Sequence, residues 1–122
     1  MLTRIVKAQG LSTVGDRHPG SGSYYRSDHF NFAKVGVPAL DINNGSISAV
    51  HDGSYGEAKQ KDYGDNRYHQ QTDNYTDTMD ATGMAQIANI LYEVGTKLGN
   101  ETTFPGWKNG SEFKAIRGKS MK

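Results

Sequence analysis

Four histidines, at positions 18, 29, 51 and 69, are the side chains best suited to hold a metal ion or move a proton near neutral pH. His69 has the most suggestive company. Residues 66 to 77 read NRYHQQTDNYTD, which puts Tyr68 beside it and Asp73 and Asp77 close behind, in a stretch with almost nothing apolar to bury. An imidazole can ligate a metal, a phenol can donate a hydrogen bond, and a nearby carboxylate can fix the imidazole tautomer. A surface loop also carries a histidine without any task, so the residues alone leave both readings open.

A zinc site needs at least three protein ligands. With no cysteine in the chain, these must come from His, Asp and Glu, and no H-E-x-x-H or H-x-H run brings two imidazoles together. Spacing alone builds no metal centre here. The chain also lacks a G-x-S-x-G elbow, a P-loop and a G-x-G-x-x-G fingerprint, so serine-hydrolase, nucleotide and dinucleotide chemistry have no support.

The elements that must position these residues come from one domain at most. The chain has 122 residues, 34% of them hydrophobic, and 15 glycines. Its mean hydropathy is −0.73, a thin apolar supply for covering both faces of a sheet. Fourteen Lys and Arg against 13 Asp and Glu give a net charge of +1, with the basic residues scattered except in the tail. That gives no electrostatic footprint for nucleic acid. No apolar run approaches a membrane span, and residues 1–10 have no signal-peptide core, so neither membrane nor nucleic acid is expected as a partner. Absence of cysteine suits cytosol and periplasm equally. Four N-x-Ser/Thr sequons, at Asn44, Asn74, Asn100 and Asn109, are what chance gives a chain rich in these residues.

Leu2, Ile5 and Val6 keep helical spacing up to Gly10, as in the last turns of a helix whose beginning is missing. Leu11 to Val14 suit a short strand, and GDRHPGSGS, which holds His18, suits a solvent-facing loop. Ser27 caps a predicted helix through Lys34, closed by Gly36, with Phe30 and Ala33 inward. VPALDI then reads as a buried strand from Val37 to Ile42, completing the αβ half of an α/β layer. Residues 43–68 show no periodicity and read as a long loop. Asp80 caps a predicted helix whose Met84, Ile87, Leu91, Val94 and Leu98 form its core stripe up to Gly99. In the turn-rich tail, Phe104, Trp107 and Phe113 are expected to pin the C-terminus.

YYRSDHFNFAKVGVPALDI followed by NRYHQQTDNY resembles the C-terminal part of bacterial zinc-dependent aminopeptidases. These belong to the di-zinc exopeptidases that also include glutamate carboxypeptidases and the inactive transferrin receptors. The resemblance runs from about Lys7 to Arg117 and takes in the tail PGWKNGSEFKAIR. It implies an α/β fold class: the C-terminal portion of a three-layer α/β/α zinc-exopeptidase (phosphorylase/hydrolase-like) domain with a mixed sheet, spanning residues 1–122. His69 matches the family's late zinc ligand. Tyr68 matches a residue that in several members hydrogen-bonds the oxyanion of the tetrahedral intermediate. Asp73 is a second partner able to orient the imidazole, with a turn role as its plain alternative. Arg26 matches a residue that in some relatives contacts a substrate or product carboxylate. Asp28 falls in a segment that related glutaminyl cyclases use in their active-site hydrogen-bond network, and equally suits a helix first turn. His29 reads as structural, and His51 matches no family ligand.

The resemblance implies five zinc ligands, an early His, a bridging Asp, a Glu, a further Asp and the late His, with a general-base Glu beside the Glu ligand; no His-x-Asp segment and no paired glutamates occur in this sequence, which leaves one ligand of the five. The resemblance therefore implies a peptidase fragment whose parent binds two zinc ions and a peptide substrate, and which is inactive alone. Its partners would be the missing N-terminal half of the domain or a second copy. A glutaminyl-cyclase-like transferase and a non-catalytic binding module of the same fold are the alternatives. Export to the periplasm or beyond is the expectation for the parent.

Overall fold

The computed structural model describes residues 1–48 and 50–120. It contains α1 (Leu2–Ala8), α2 (Phe30–Lys34), α3 (Tyr55–Asn66), α4 (Thr82–Gly99) and α5 (Lys114–Ser120), with short 3₁₀ turns at Pro19–Ser21 and Ser23–Arg26. The chain divides into two compact units, Met1–Ile42 with Ile90–Lys122, and Asn43–Asn89.

In the first unit, α1 and α2 end in the same way. After α1, Gly10 N–H donates to the Lys7 carbonyl and Leu11 N–H to that of Val6, with Gly10 at φ +73°. After α2, Gly36 N–H donates to Ala33 and Val37 N–H to Phe32, with Gly36 at φ +83°. Each is a Schellman motif, which uses a left-handed glycine to satisfy the last helical carbonyls. Ile5, Val6, Ala33, Ile90, Val94 and Phe113 form the buried core. Around Phe113 gather Trp107, with ring centroids 5.0 Å apart, and Phe30, at 6.0 Å. Trp107 Nε1 donates to the Gly36 carbonyl at 2.9 Å, and Tyr25 Oη to Glu112 Oε1 at 2.5 Å. Trp107 and Phe113 therefore do pin the tail, whereas Phe104 is 76% exposed. The tail itself ends in α5, where only turns were expected.

The expected α/β architecture with a mixed sheet is overturned, because there is no β-strand among the described residues. Leu11–Val14 and Val37–Ile42 carry strand composition but run without a ladder partner. A strand is stable only when a neighbour takes up its backbone N–H and C=O groups, and neither run finds one. Val37 and Leu40 consequently stay partly exposed.

In the second unit, the expected loop from 43 to 68 holds α3, a helix with no buried residue. Its support is local: Lys61 pairs with Asp65, and Asn66 Nδ2 donates to Asp62 Oδ1 at 2.8 Å. Such i, i+4 pairs stabilise a polar helix that lacks an apolar stripe. Before α3, Asp52 Oδ1 accepts from Ser54 N, Ser54 Oγ and Tyr55 N. Before α4, Asp80 Oδ1 accepts Thr82 N–H at 2.8 Å, the capping role expected of it. The α4 stripe is rotated from the predicted one. Ile90 and Val94 are buried, while Met84, Leu91 and Leu98 are exposed.

Candidate functional site

The NRYHQQTD run forms the C-terminal end of α3 and the turn after it. Arg67 N–H and Tyr68 N–H both donate to the Tyr63 carbonyl, at 2.9 and 2.8 Å, which tightens the end of the helix. The next carbonyls would lack partners. The run supplies them: Gln70 Nε2 donates to the Asp65 carbonyl and Thr72 Oγ1 to that of Asn66. These side chains fasten the turn beneath the helix they cap.

Gln70 N–H closes a turn onto the Arg67 carbonyl at 2.8 Å, and this places His69 at φ +59°. Among the described residues it is the one non-glycine with a positive φ. A left-handed backbone costs an ordinary side chain energy and persists where the surroundings impose it, often at functional positions. The exposed imidazole of His69 stacks on the Tyr68 ring, with centroids 3.9 Å apart and 20° between planes. Tyr68 is itself 54% exposed.

Asp73 closes the other side of the turn. Its Oδ2 accepts the Tyr63 hydroxyl at 2.9 Å, and the Tyr63 ring lies 6.0 Å from that of Tyr68. The Asp73 carboxylate holds the Tyr63 proton in place, chiefly through this hydrogen bond, and pushes the Tyr63 pKa up from its ordinary value. The sequence reading passed over Tyr63. A tyrosine ten residues before Asp73 becomes a signal only once α3 is known to lie between them.

Tyr68, His69 and Asp73 thus share one turn in the second unit, while Arg26 and Asp28 belong to the first. Arg26 ends the second 3₁₀ turn. Asp28 is exposed in the turn leading into α2, its carbonyl accepting from Asn31 N–H at 3.1 Å. His29 packs against Tyr24 with ring centroids 4.5 Å apart, as a structural residue would, though its buried Nε2 has no hydrogen-bond partner among the described residues. His51 stacks on Tyr55 at 4.0 Å, and His18 is exposed.

Among the described residues no three His, Cys, Asp or Glu side chains come together as a metal cage. One imidazole in an exposed turn does not hold a zinc ion, so the donors present do not by themselves fit the metal that the resemblance implies. The geometry does offer an outward-facing imidazole and an adjacent phenol on a turn braced from below.

No helix among the described residues is long and apolar enough to cross a membrane. No curated protein and no solved structure matches the chain. Residues 1–95 match the model of peptidase family M28, a match that contains both sequence motifs and stops short of the tail. With more than half of its length matched in this way, the chain belongs to peptidase family M28, a family of zinc-dependent aminopeptidase and carboxypeptidase type.

Proposed function

We propose that this chain is the C-terminal part of an aminopeptidase catalytic domain and presents one edge of its active site. His69 supplies a single nitrogen ligand, and the remaining ligands come from polypeptide outside these 122 residues. The observation that carries this reading is the strained, solvent-facing His69 stacked on Tyr68, within the segment that matches the M28 family. The Tyr68 hydroxyl is free to turn toward an incoming carbonyl oxygen and to bond it more strongly as negative charge develops there. A donor placed in this way favours the transition state over the bound substrate. Asp73 acts on the pair from beneath by anchoring Tyr63 against the turn.

Taken alone, the chain is inactive and holds zinc weakly. The test is zinc titration of the purified chain, followed by co-expression with upstream polypeptide carrying a His-x-Asp segment and paired glutamates. The reading expects no stoichiometric zinc in the first case. In the second it expects metal-dependent release of p-nitroaniline from amino-acid p-nitroanilides, abolished by His69→Ala. Tight zinc binding and hydrolysis by the isolated chain would overturn it, as would a complemented enzyme indifferent to His69.

A further inference from the structure

Residues 43–46 read NNGS, and the pair Asn44–Gly45 lies exposed in the loop ahead of α3. An asparagine followed by glycine lets the next backbone nitrogen reach the side-chain carbonyl with least hindrance, because glycine has no Cβ to crowd the approach and turns freely. Among the described residues, neither the Asn44 amide nor the Gly45 N–H takes part in a hydrogen bond, so neither must be released first. A Cβ on residue 45 would meet only the Ile47 nitrogen, at 4.0 Å. The chain's other Asn–Gly pair is tied down. Asn109 Oδ1 accepts from Lys114 Nζ at 2.6 Å, and Ser111 N–H closes a turn onto the Lys108 carbonyl with Gly110 at φ +84°.

Two contacts give the Asn44 loop consequences. The Asn44 side chain lies against Gly83 in the first turn of α4, where an added Cβ would fall 2.8 Å from Asn44 Nδ2. In that turn Asp80 takes the Thr82 N–H and the Ala81 carbonyl takes that of Ala85, while among the described residues those of Gly83 and Met84 have no acceptor. On the other side of Gly45, Ser46 is buried with its main chain against Gly56 of α3.

We propose that Asn44 is a site of spontaneous deamidation whose products alter the start of α4 and the seat of α3. The Gly45 nitrogen attacks Asn44 Cγ and forms a bond to it. The bond from Cγ to Nδ2 breaks, and ammonia leaves with the proton that the Gly45 nitrogen gives up. Water then opens the succinimide. Addition at the side-chain carbonyl yields aspartate, and addition at the main-chain carbonyl yields isoaspartate, in which the chain runs through Cβ and Cγ. Aspartate sets a carboxylate beside the unpaired first-turn amides of α4, where both the donors and the helix dipole favour it. Isoaspartate lengthens the main chain by a methylene and displaces Ser46 from Gly56. None of this depends on the peptidase reading, since neither zinc nor substrate takes part.

The experiment ages the full 122-residue chain in mildly alkaline buffer and follows each asparagine by peptide mapping with electron-transfer fragmentation, which separates aspartate from isoaspartate. Asn44 should convert to both products, ahead of Asn109 by about tenfold or more, because reaction at Asn109 first gives up the bond from Lys114. Gly45→Val should slow conversion at residue 44 by about tenfold or more, as a branched side chain crowds the attacking nitrogen. Asn44→Gln keeps the amide but sets its carbonyl a methylene too far for ready closure, and gives an independent readout should Gly45→Val disturb the loop. It should stay unmodified over the same period. Hydrogen exchange should be slower in the first turn of α4 for Asn44→Asp, and faster along α3 for the separated isoaspartate form. No conversion at Asn44, or conversion of Asn109 at an equal rate, would overturn the site. Unchanged exchange in both α3 and α4 would overturn the structural consequence.

Discussion

The imidazole of His69 lies nearly flat on the ring of Tyr68, 3.9 Å away and tilted by 20°. Removing only the phenol oxygen keeps this stack and deletes the hydrogen-bond donor. In the complemented peptidase, Tyr68→Phe should lower kcat by about a hundredfold to a thousandfold with little change in KM, the scale seen for loss of one oxyanion donor. Steady-state kinetics of the two enzymes provide the check, and an unchanged kcat would remove Tyr68 from the chemistry.

The left-handed backbone at His69 should be visible in stability. His69→Ala keeps the strain and loses the stack, whereas His69→Gly relieves the strain. Chemical denaturation should find the glycine variant more stable than the alanine variant by up to about 1 kcal/mol, after allowing for glycine's extra freedom in the unfolded chain. The reverse order would mean that the turn adopts another conformation in solution.

The Tyr63–Asp73 hydrogen bond has a pH signature. It raises the Tyr63 pKa, so its stabilising effect is complete below the ordinary tyrosine range and is lost as pH rises through the folded value. Asp73→Asn should bring the Tyr63 titration, followed by tyrosinate absorbance, back toward lower pH. It should also loosen the turn, read as faster amide exchange around Tyr68 and His69.

At the acid end the sign reverses. Bonds from the Ser54 hydroxyl and amide and from Tyr55 N–H hold Asp52 below the usual carboxylate range, and bonds from Thr82 do the same for Asp80. Their contribution is present above the ordinary carboxylate pKa and disappears as pH falls through the lowered folded values. Circular dichroism should show α3 and α4 losing helix in that acid window, and the Asp52→Asn, Asp80→Asn double variant should flatten the transition.

Gly36 joins two constraints. Its φ is +83°, and a Cβ there would come within 2.6 Å of the Arg117 backbone nitrogen. Gly36→Ala should cost about 2–4 kcal/mol by combining left-handed strain with overpacking. Trp107→Phe, which removes the bond to the Gly36 carbonyl, should cost about 1 kcal/mol. Urea denaturation of both variants tests the ranking.

What was legible in the sequence was what neighbouring residues decide. Gly10, Gly36 and Asp80 mark helix ends through hydrogen bonds spanning a few residues, and all three act as read. Pairing of Val37–Ile42 depends instead on a distant partner strand, which composition cannot reveal. Helix α3 escaped because hydrophobic periodicity was the signal sought, and this helix buries nothing. The α4 stripe was ambiguous because Met84, Leu91 and Leu98 line one face while Ile87, Ile90 and Val94 line its neighbour, and only packing chooses between them. At the turn, the Tyr68 and His69 pair was legible from the family motif. The bracing by Tyr63 was not, since it requires α3.

Helix α3, polar on every side, also meets the Ser46 carbonyl at Gly56, where an added Cβ would fall 1.9 Å from that oxygen. Any larger residue would be met by main chain, which has no rotamer to yield. The orientation of the segment leading to Tyr68 and His69 is thus set partly by a hydrogen in place of a methyl group, and a single carbon inserted far along the helix would misdirect the imidazole without touching it.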